Sequence, residues 1–242
     1  MIQRLRKVAR MFQLKAFRAG WWPCPVCGNR LQLRLNADEM GVRCARCGAS
    51  PVTQSIVDVI RAEHADVATL AVYELSSRGA LVDWLETHVG SLTTSEYLPE
   101  VAPGHVDRGV RCEDVQRLTF DDAVFDLCTS TEVFEHVGDD HAGFVQVRRV
   151  LRPGGKFIFT VPMGGAERTV ERASMIDGQL THLLEPEYHA DPCSPGIRVL
   201  CMRNYGNDIV ERMRLAGFAQ ARLARPLSAM MHCARTVVVA ER

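Results

Sequence analysis

Four cysteines fall into two close pairs, Cys24-Pro-Val-Cys27-Gly28 and Cys44-Ala-Arg-Cys47-Gly48, with 16 residues between Cys27 and Cys44. Two thiolate pairs, each from a tight turn, can close a tetrahedral shell around Zn2+. Glycine after each second cysteine lets the turn's backbone wrap the sulfurs without a Cβ clash. Between the pairs, LQLRLNADEMGVR alternates apolar and polar residues around a turn, as a zinc-ribbon hairpin does. So small a ribbon has almost no core, and the metal would supply much of its folding energy. Four protein ligands leave no open coordination position, so such a zinc is structural. The competing readings are free thiols or a redox pair.

A second concentration of reactive side chains lies in THLLEPEYHADPCSPG, where His182, Glu187, Tyr188, His189, Asp191 and Cys193 fall within 12 residues. Loops on a rigid scaffold carry function, so this segment reads as a lid over a binding site. His189 and Asp191 can pair as base and orienter, or join a second metal site. The plain alternative is a polar loop with a tight Asp-Pro turn.

These residues need elements to hold them. Residues 1–19 read as a short amphipathic helix, with Leu5, Val8, Phe12 and Ala16 at helical spacing among Arg4, Arg6, Lys7, Arg10 and Lys15. Such a basic helix can lie on a membrane or RNA, or pack its apolar stripe on a neighbour. Gly20-Trp21-Trp22-Pro23 ends it, and 52–64 reads as a linking helix. Strands are expected at 69–76, 91–96, 108–112, 124–130, 155–162, 217–224 and 233–240, with helices at 79–88, 139–150 and 206–216. That alternation predicts an α/β fold. It is a Rossmann-like, doubly wound, seven-stranded, mostly parallel sheet, preceded by the small zinc ribbon. Strands 124–130 and 155–162 are nearly continuous apolar runs, as burial on both faces demands. The expected domains are 1–50 (basic helix and ribbon) and 51–242, within which 163–204 fits no regular alternation and reads as an insertion.

Residues 114–162 carry a set of ordered motifs: Asp114, Leu118 and Phe120; Phe125-Asp126; Glu132-Val133-Phe134-Glu135-His136-Val137; and Arg149-Val150-Leu151-Arg152-Pro153-Gly154-Gly155. Here the chain resembles the class I S-adenosylmethionine (SAM)-dependent methyltransferases, particularly the methyltransferase type 11 group related to ubiquinone biosynthesis. The resemblance covers roughly 69–162 well and the C-terminal strands loosely. It implies SAM as methyl donor. It also implies that Glu96, with Tyr97 beside it, binds the ribose hydroxyls. Asp114, flanked by Glu113 and Val115, would cap the adenine amine. The family's first loop is glycine-rich. Here Glu74 stands at the acidic position, and Ser76, Ser77, Arg78 and Gly79 replace most of the glycines. Small serines can still permit a close ligand approach, and Arg78 can reach the methionyl carboxylate. The competing reading is a fold that has lost SAM. By the same resemblance, Thr131, Glu132, Glu135 and His136 lie where the acceptor binds. His136, with an ordinary pKa near ~6.5, is the candidate general base. Its alternative role is orientation or helix capping, and His189 is the second catalytic candidate.

Composition narrows the partners. Lys and Arg exceed Asp and Glu by 10 to 2 over residues 1–50, and fall short of them by 19 to 27 over 51–242. The net charge of zero therefore hides a +8 segment and a −8 body. The basic segment can meet an acidic substrate, RNA or the body itself. Nine cysteines and no apolar signal segment fit a reducing cytoplasm, and no run is long enough to span a membrane. The expected activity is methylation of a small-molecule or carbohydrate acceptor at oxygen or nitrogen. The alternatives are an RNA methyltransferase, since some rRNA guanine methyltransferases also place a four-cysteine finger before the SAM domain, and a non-catalytic partner protein. Self-association is left open.

Overall fold

The computed structural model describes residues 12–190, 198–228 and 230–242. Most of the predicted basic helix, and Asp191 and Cys193, lie outside the described residues. The chain forms two compact units, one up to Ala65 together with Ala224–Val237, the other Asp66–Leu223 with Val238–Arg242. The dividing line is thus not at residue 50.

In the first unit, β1 (Arg18–Trp21), β2 (Leu31–Arg34) and β3 (Val42–Cys44) make an antiparallel sheet in that order. This corrects the described part, 12–19, of the helix expected over 1–19: Leu14–Ala16 turn, and Arg18–Trp21 pair with Leu31–Arg34. The ladder to β2 gives these residues backbone partners that helical spacing alone could not outweigh. Helix α1 (Pro51–Glu63) starts on Ser50, whose Oγ accepts from Thr53 N at 3.3 Å, with proline in the first turn. Its buried face carries Gln54, which exchanges two amide hydrogen bonds with Gln32 of β2 (2.9 and 3.1 Å). Those bonds satisfy two fully buried amides that would otherwise cost the unit stability. The returning segment docks on the same helix: Asp58 accepts from Leu227 N and Ser228 N, and Ser55 Oγ accepts from Arg235 N.

The second unit contains β4 (Ala71–Glu74), α2 (Ala80–His88), β5 (Ser91–Thr94), β6 (Phe125–Thr131), α3 (Asp140–Val150), β7 (Leu151–Thr160), α4 (Ile209–Leu215), β8 (Gln220–Ala224) and β9 (Val237–Glu241). The last residue of β8 and the first of β9 fall at the unit boundary. Sheet order is β8-β9-β7-β6-β4-β5. Pairs β4–β5, β4–β6 and β6–β7 are parallel, and β9 runs antiparallel to β7. The continuous apolar runs do fill both faces: Leu127, Cys128, Phe157, Ile158 and Phe159 are fully buried. Phe134 stacks on Phe144 at 4.6 Å between ring centroids, tying the segment after β6 to α3.

Among the described residues the sheet has six strands rather than seven. The strand expected over 108–112 is a two-residue ladder, Val106–Asp107 with Val110–Arg111, plus one parallel bridge from Cys112 to Glu96. Arg108 and Gly109 both take positive φ (49° and 80°), the tight hairpin turn that bends this stretch back on itself instead of along β5. The insertion is more regular than its sequence suggests. Ala173–Ile176 pairs with Gln179–His182 across an Asp177-Gly178 turn, and Tyr188–Ala190 pairs with Arg198–Leu200. No helix of the described residues is long and apolar enough to cross a membrane.

Candidate functional site

The chain runs β4, α2, β5 on one side of β4 and then returns through β6 on the other. Strand order therefore reverses at the carboxyl ends of β4 and β6, where an open α/β sheet binds its ligands. The loop leaving β4 holds Glu74, Ser76, Ser77, Arg78 and Gly79. Gly79 precedes α2 at φ 118°, a conformation that side chains rarely adopt, and a Cβ there would meet open space. No side chain caps that helix start. Glu96, beyond β5, accepts from both Ser77 N and Ser77 Oγ at 2.9 Å, and Arg78 Nε lies 3.9 Å from the same oxygen. Ser77 thus ties the loop to the acid opposite, where the family has glycine.

Glu74 is buried at the end of β4 and accepts from Thr129 Oγ1 of β6. Burial pushes its pKa up to about 8, against hydrogen bonds from Thr129 and Ser76 that lower it. Asp114 caps a single 3-10 turn, accepting from Gln116 N at 3.0 Å and pairing with Arg117 at 3.1 Å. Glu113 is consumed by the loop itself, through Thr119 N, Thr119 Oγ1 and Arg111 at 2.6–3.0 Å. Val115 packs partly buried on the core, whereas Tyr97 is 66% exposed. Thr131 ends β6, and Glu132 turns the chain out of the sheet at φ 54° while donating its N–H to Thr160 O.

Glu135 and His136 follow in a short 3-10 turn. His136 Nδ1 is 2.8 Å from Leu200 O, and Met202 N donates to Glu135 O at 2.7 Å. The insertion brings His189 to the same place: its Nδ1 lies 3.8 Å and His136 Nε2 3.6 Å from Glu135 Oε1. Glu187 Oε1 is 3.3 Å from His189 Nε2, and Arg172 Nε is 3.3 Å from Glu187 Oε2. The Glu135 carboxylate first, and Glu187 after it, raise the His189 pKa. Glu135, His136, Glu187 and His189 therefore lie together, whereas the Asp191 expected to pair with His189 lies outside the described residues. His182 is exposed on its hairpin, and Tyr188 is half-exposed with the Arg198 guanidinium over its ring.

The residue that sequence reasoning missed is Arg203. Its guanidinium, in a side chain 4% exposed, donates to Phe134 O, Val137 O and Gly138 O at 2.6–3.1 Å and to Glu171 at 3.0 Å. Asp140 meanwhile accepts from Tyr205 OH and Arg212. This network fixes the backbone on which Glu135 and His136 ride. A lone arginine in CMRNY carries no spacing signal that could have announced it.

In the other unit, Cys24, Cys27, Cys44 and Cys47 bring four sulfurs within 4.8 Å of one another. Cys24 and Cys47 sulfurs are 3.7 Å apart, Cys27 and Cys44 sulfurs 3.6 Å. Each pair forms a turn closed by glycine, with Gly28 N on Cys24 O and Gly48 N on Cys44 O at 2.8 and 2.9 Å.

Residues 76–159 match a family model described as a methyltransferase domain. A demethylmenaquinone methyltransferase of Mycolicibacterium gilvum is 35% identical over 106 residues, 42% of this chain and 42% of the relative. A ubiquinone biosynthesis O-methyltransferase of Coxiella burnetii is 33% identical over 91 residues, 34% of this chain and 38% of the relative. The chain thus spans about two fifths of the curated relatives it matches. Among solved structures, a SAM-dependent methyltransferase from Mesorhizobium loti aligns at TM-score 0.49 and 20% identity, over 78% of this chain and 98% of that one. A Burkholderia thailandensis 1,6-didemethyltoxoflavin-N1-methyltransferase aligns at 0.47 and 18%, over 78% and 77%.

Proposed function

We propose that this protein transfers a methyl group from SAM to the oxygen or nitrogen of a small molecule. The observation that carries the reading is the switch-point loop, in which Glu96 is tied to Ser77 opposite an uncapped helix start at Gly79. The matched methyltransferase domain and the relatives support it. The donor set fits SAM: acids at 74, 96 and 114 suit hydroxyl and amine hydrogens, Arg78 suits a carboxylate, and Gly79 leaves space for close approach. SAM supplies an activated methyl group when bound. The chain's own task is to hold donor and acceptor in line and, for a hydroxyl acceptor, to take its proton. His136 and His189 are the candidates to receive that proton, and Leu200 O and Glu187 orient their rings. The relatives are named for quinone biosynthesis, so quinone-related phenols are the acceptors to assay first.

The four-cysteine cluster fits a structural Zn2+. Zinc–sulfur bonds of ~2.3 Å in a tetrahedron put sulfurs about 3.8 Å apart, close to the 3.6 and 3.7 Å observed. Cys24, Cys27, Cys44 and Cys47 would hold it.

An untargeted mass-spectrometric comparison of small-molecule extracts, with and without protein and SAM, tests the proposal. The expected result is a product heavier by one methyl substitution together with S-adenosylhomocysteine. Methylation confined to added RNA would overturn the small-molecule assignment.

A further inference from the structure

The least explained group in the second unit is the Glu135 carboxylate. It is 1% exposed, and among the described residues neither oxygen has a hydrogen-bond partner. A buried carboxylate without donors is costly and demands an explanation. The two nearest side chains do not answer it as donors. His136 Nδ1 faces Leu200 O, which can only accept, so that nitrogen carries the proton and Nε2 offers a lone pair. His189 Nε2 faces the Glu187 carboxylate, again an acceptor, so Nδ1 offers the lone pair. Both lone pairs then converge on Glu135 Oε1, at 3.6 and 3.8 Å, beyond hydrogen-bond range. An extra proton on His189 would relieve only one side. It would leave the His136 lone pair and the second carboxylate oxygen unanswered.

We propose that Glu135 Oε1, His136 Nε2 and His189 Nδ1 are the three protein ligands of a divalent first-row transition cation, separate from the four-cysteine site. The three atoms lie within 4.8 Å of one another. Ligand bonds of ~2.1 Å need donors about 3–3.5 Å apart, so the two Glu135 separations of 3.6 and 3.8 Å would close by a few tenths of an ångström. Each imidazole already has the outer partner that metal-bound histidines require, a backbone carbonyl for His136 and a carboxylate for His189. Two imidazoles and one carboxylate with remaining open positions suit cobalt, iron, manganese or zinc. Cys201 is not a ligand, because its thiol donates to Arg203 O at 3.1 Å. The site stands independently of SAM binding, and with the cation bound the His136 and His189 lone pairs are engaged and neither ring serves as the base.

The test titrates Co2+ into the zinc-loaded full chain and follows visible d–d absorption, with SAM affinity measured in parallel. The expected result is about one further equivalent of Co2+ per chain without a thiolate charge-transfer band. Binding should weaken at least ~10-fold in Glu135→Gln and in His189→Ala, and persist in Cys201→Ala. His189 lies on a peripheral ladder, so its variant remains informative if Glu135→Gln fails to fold. Absence of saturable binding at millimolar Co2+, or unchanged affinity in His189→Ala, overturns the site. SAM binding in the same samples reports separately on the methyltransferase reading.

Discussion

Glu74 couples the end of β4 to Thr129 of β6, and burial lifts its pKa from the ordinary 4.5 to about 8. A carboxyl raised in the folded state is stabilising while neutral, and that stability is lost as pH rises from 4.5 through about 8. Glu74→Gln, which stays neutral, should lose less melting temperature across that interval than the parent. An equal loss in both would remove Glu74 from this role. Glu96 makes a different kind of contribution, since it accepts from both donors of Ser77. Charged hydrogen bonds are worth about 1.5–3 kcal/mol each, so Glu96→Ala should weaken SAM binding by ~10-fold or more in calorimetry. A change under about threefold would contradict the assignment. At this scale the cysteine quartet was fully legible, because its geometry is set by spacing within two short turns. Glu135 stood out in the sequence only as part of a motif, not as an unsatisfied carboxylate, because the His189 that faces it comes from more than fifty positions away.

Among the elements, β6, β7 and the helices that flank them were readable from apolar runs and helical spacing. The third strand was not. The Arg108-Gly109 turn closes a local hairpin and leaves one bridge to Glu96. The insertion carried one overlooked signal, Asp177-Gly178, whose positive φ values (50° and 76°) make the turn of a hairpin. Its docking could not be read, since it rests on Arg203 gathering three carbonyls of the 134–138 segment. Removing one partner from such a buried charged network typically costs ~3–5 kcal/mol. Arg203→Met should therefore lower urea-unfolding stability by that order. It should also weaken Co2+ binding at Glu135 and His189. A loss below about 1 kcal/mol would mean the segment is held elsewhere.

For the whole molecule, the sequence suggested a division at residue 50, whereas the compact units divide after Ala65 and share the C-terminal part of the chain. Helix α1 and Ala224–Val237 belong to the cysteine unit because Ser55 and Asp58 bind the returning chain. Contacts 169 to 180 positions apart leave no local pattern. If zinc holds the quartet, stripping it should raise hydrogen exchange across 18–63 and 224–237 together, while β6 and β7 stay protected. Unchanged exchange in the metal-free protein would contradict a structural zinc. The central claim, a SAM site built without the usual glycines, is tested most directly by titrating SAM into the purified chain in a calorimeter. The expected result is saturable binding of one SAM per chain, weakened in Glu96→Ala. No heat of binding at millimolar SAM would contradict it.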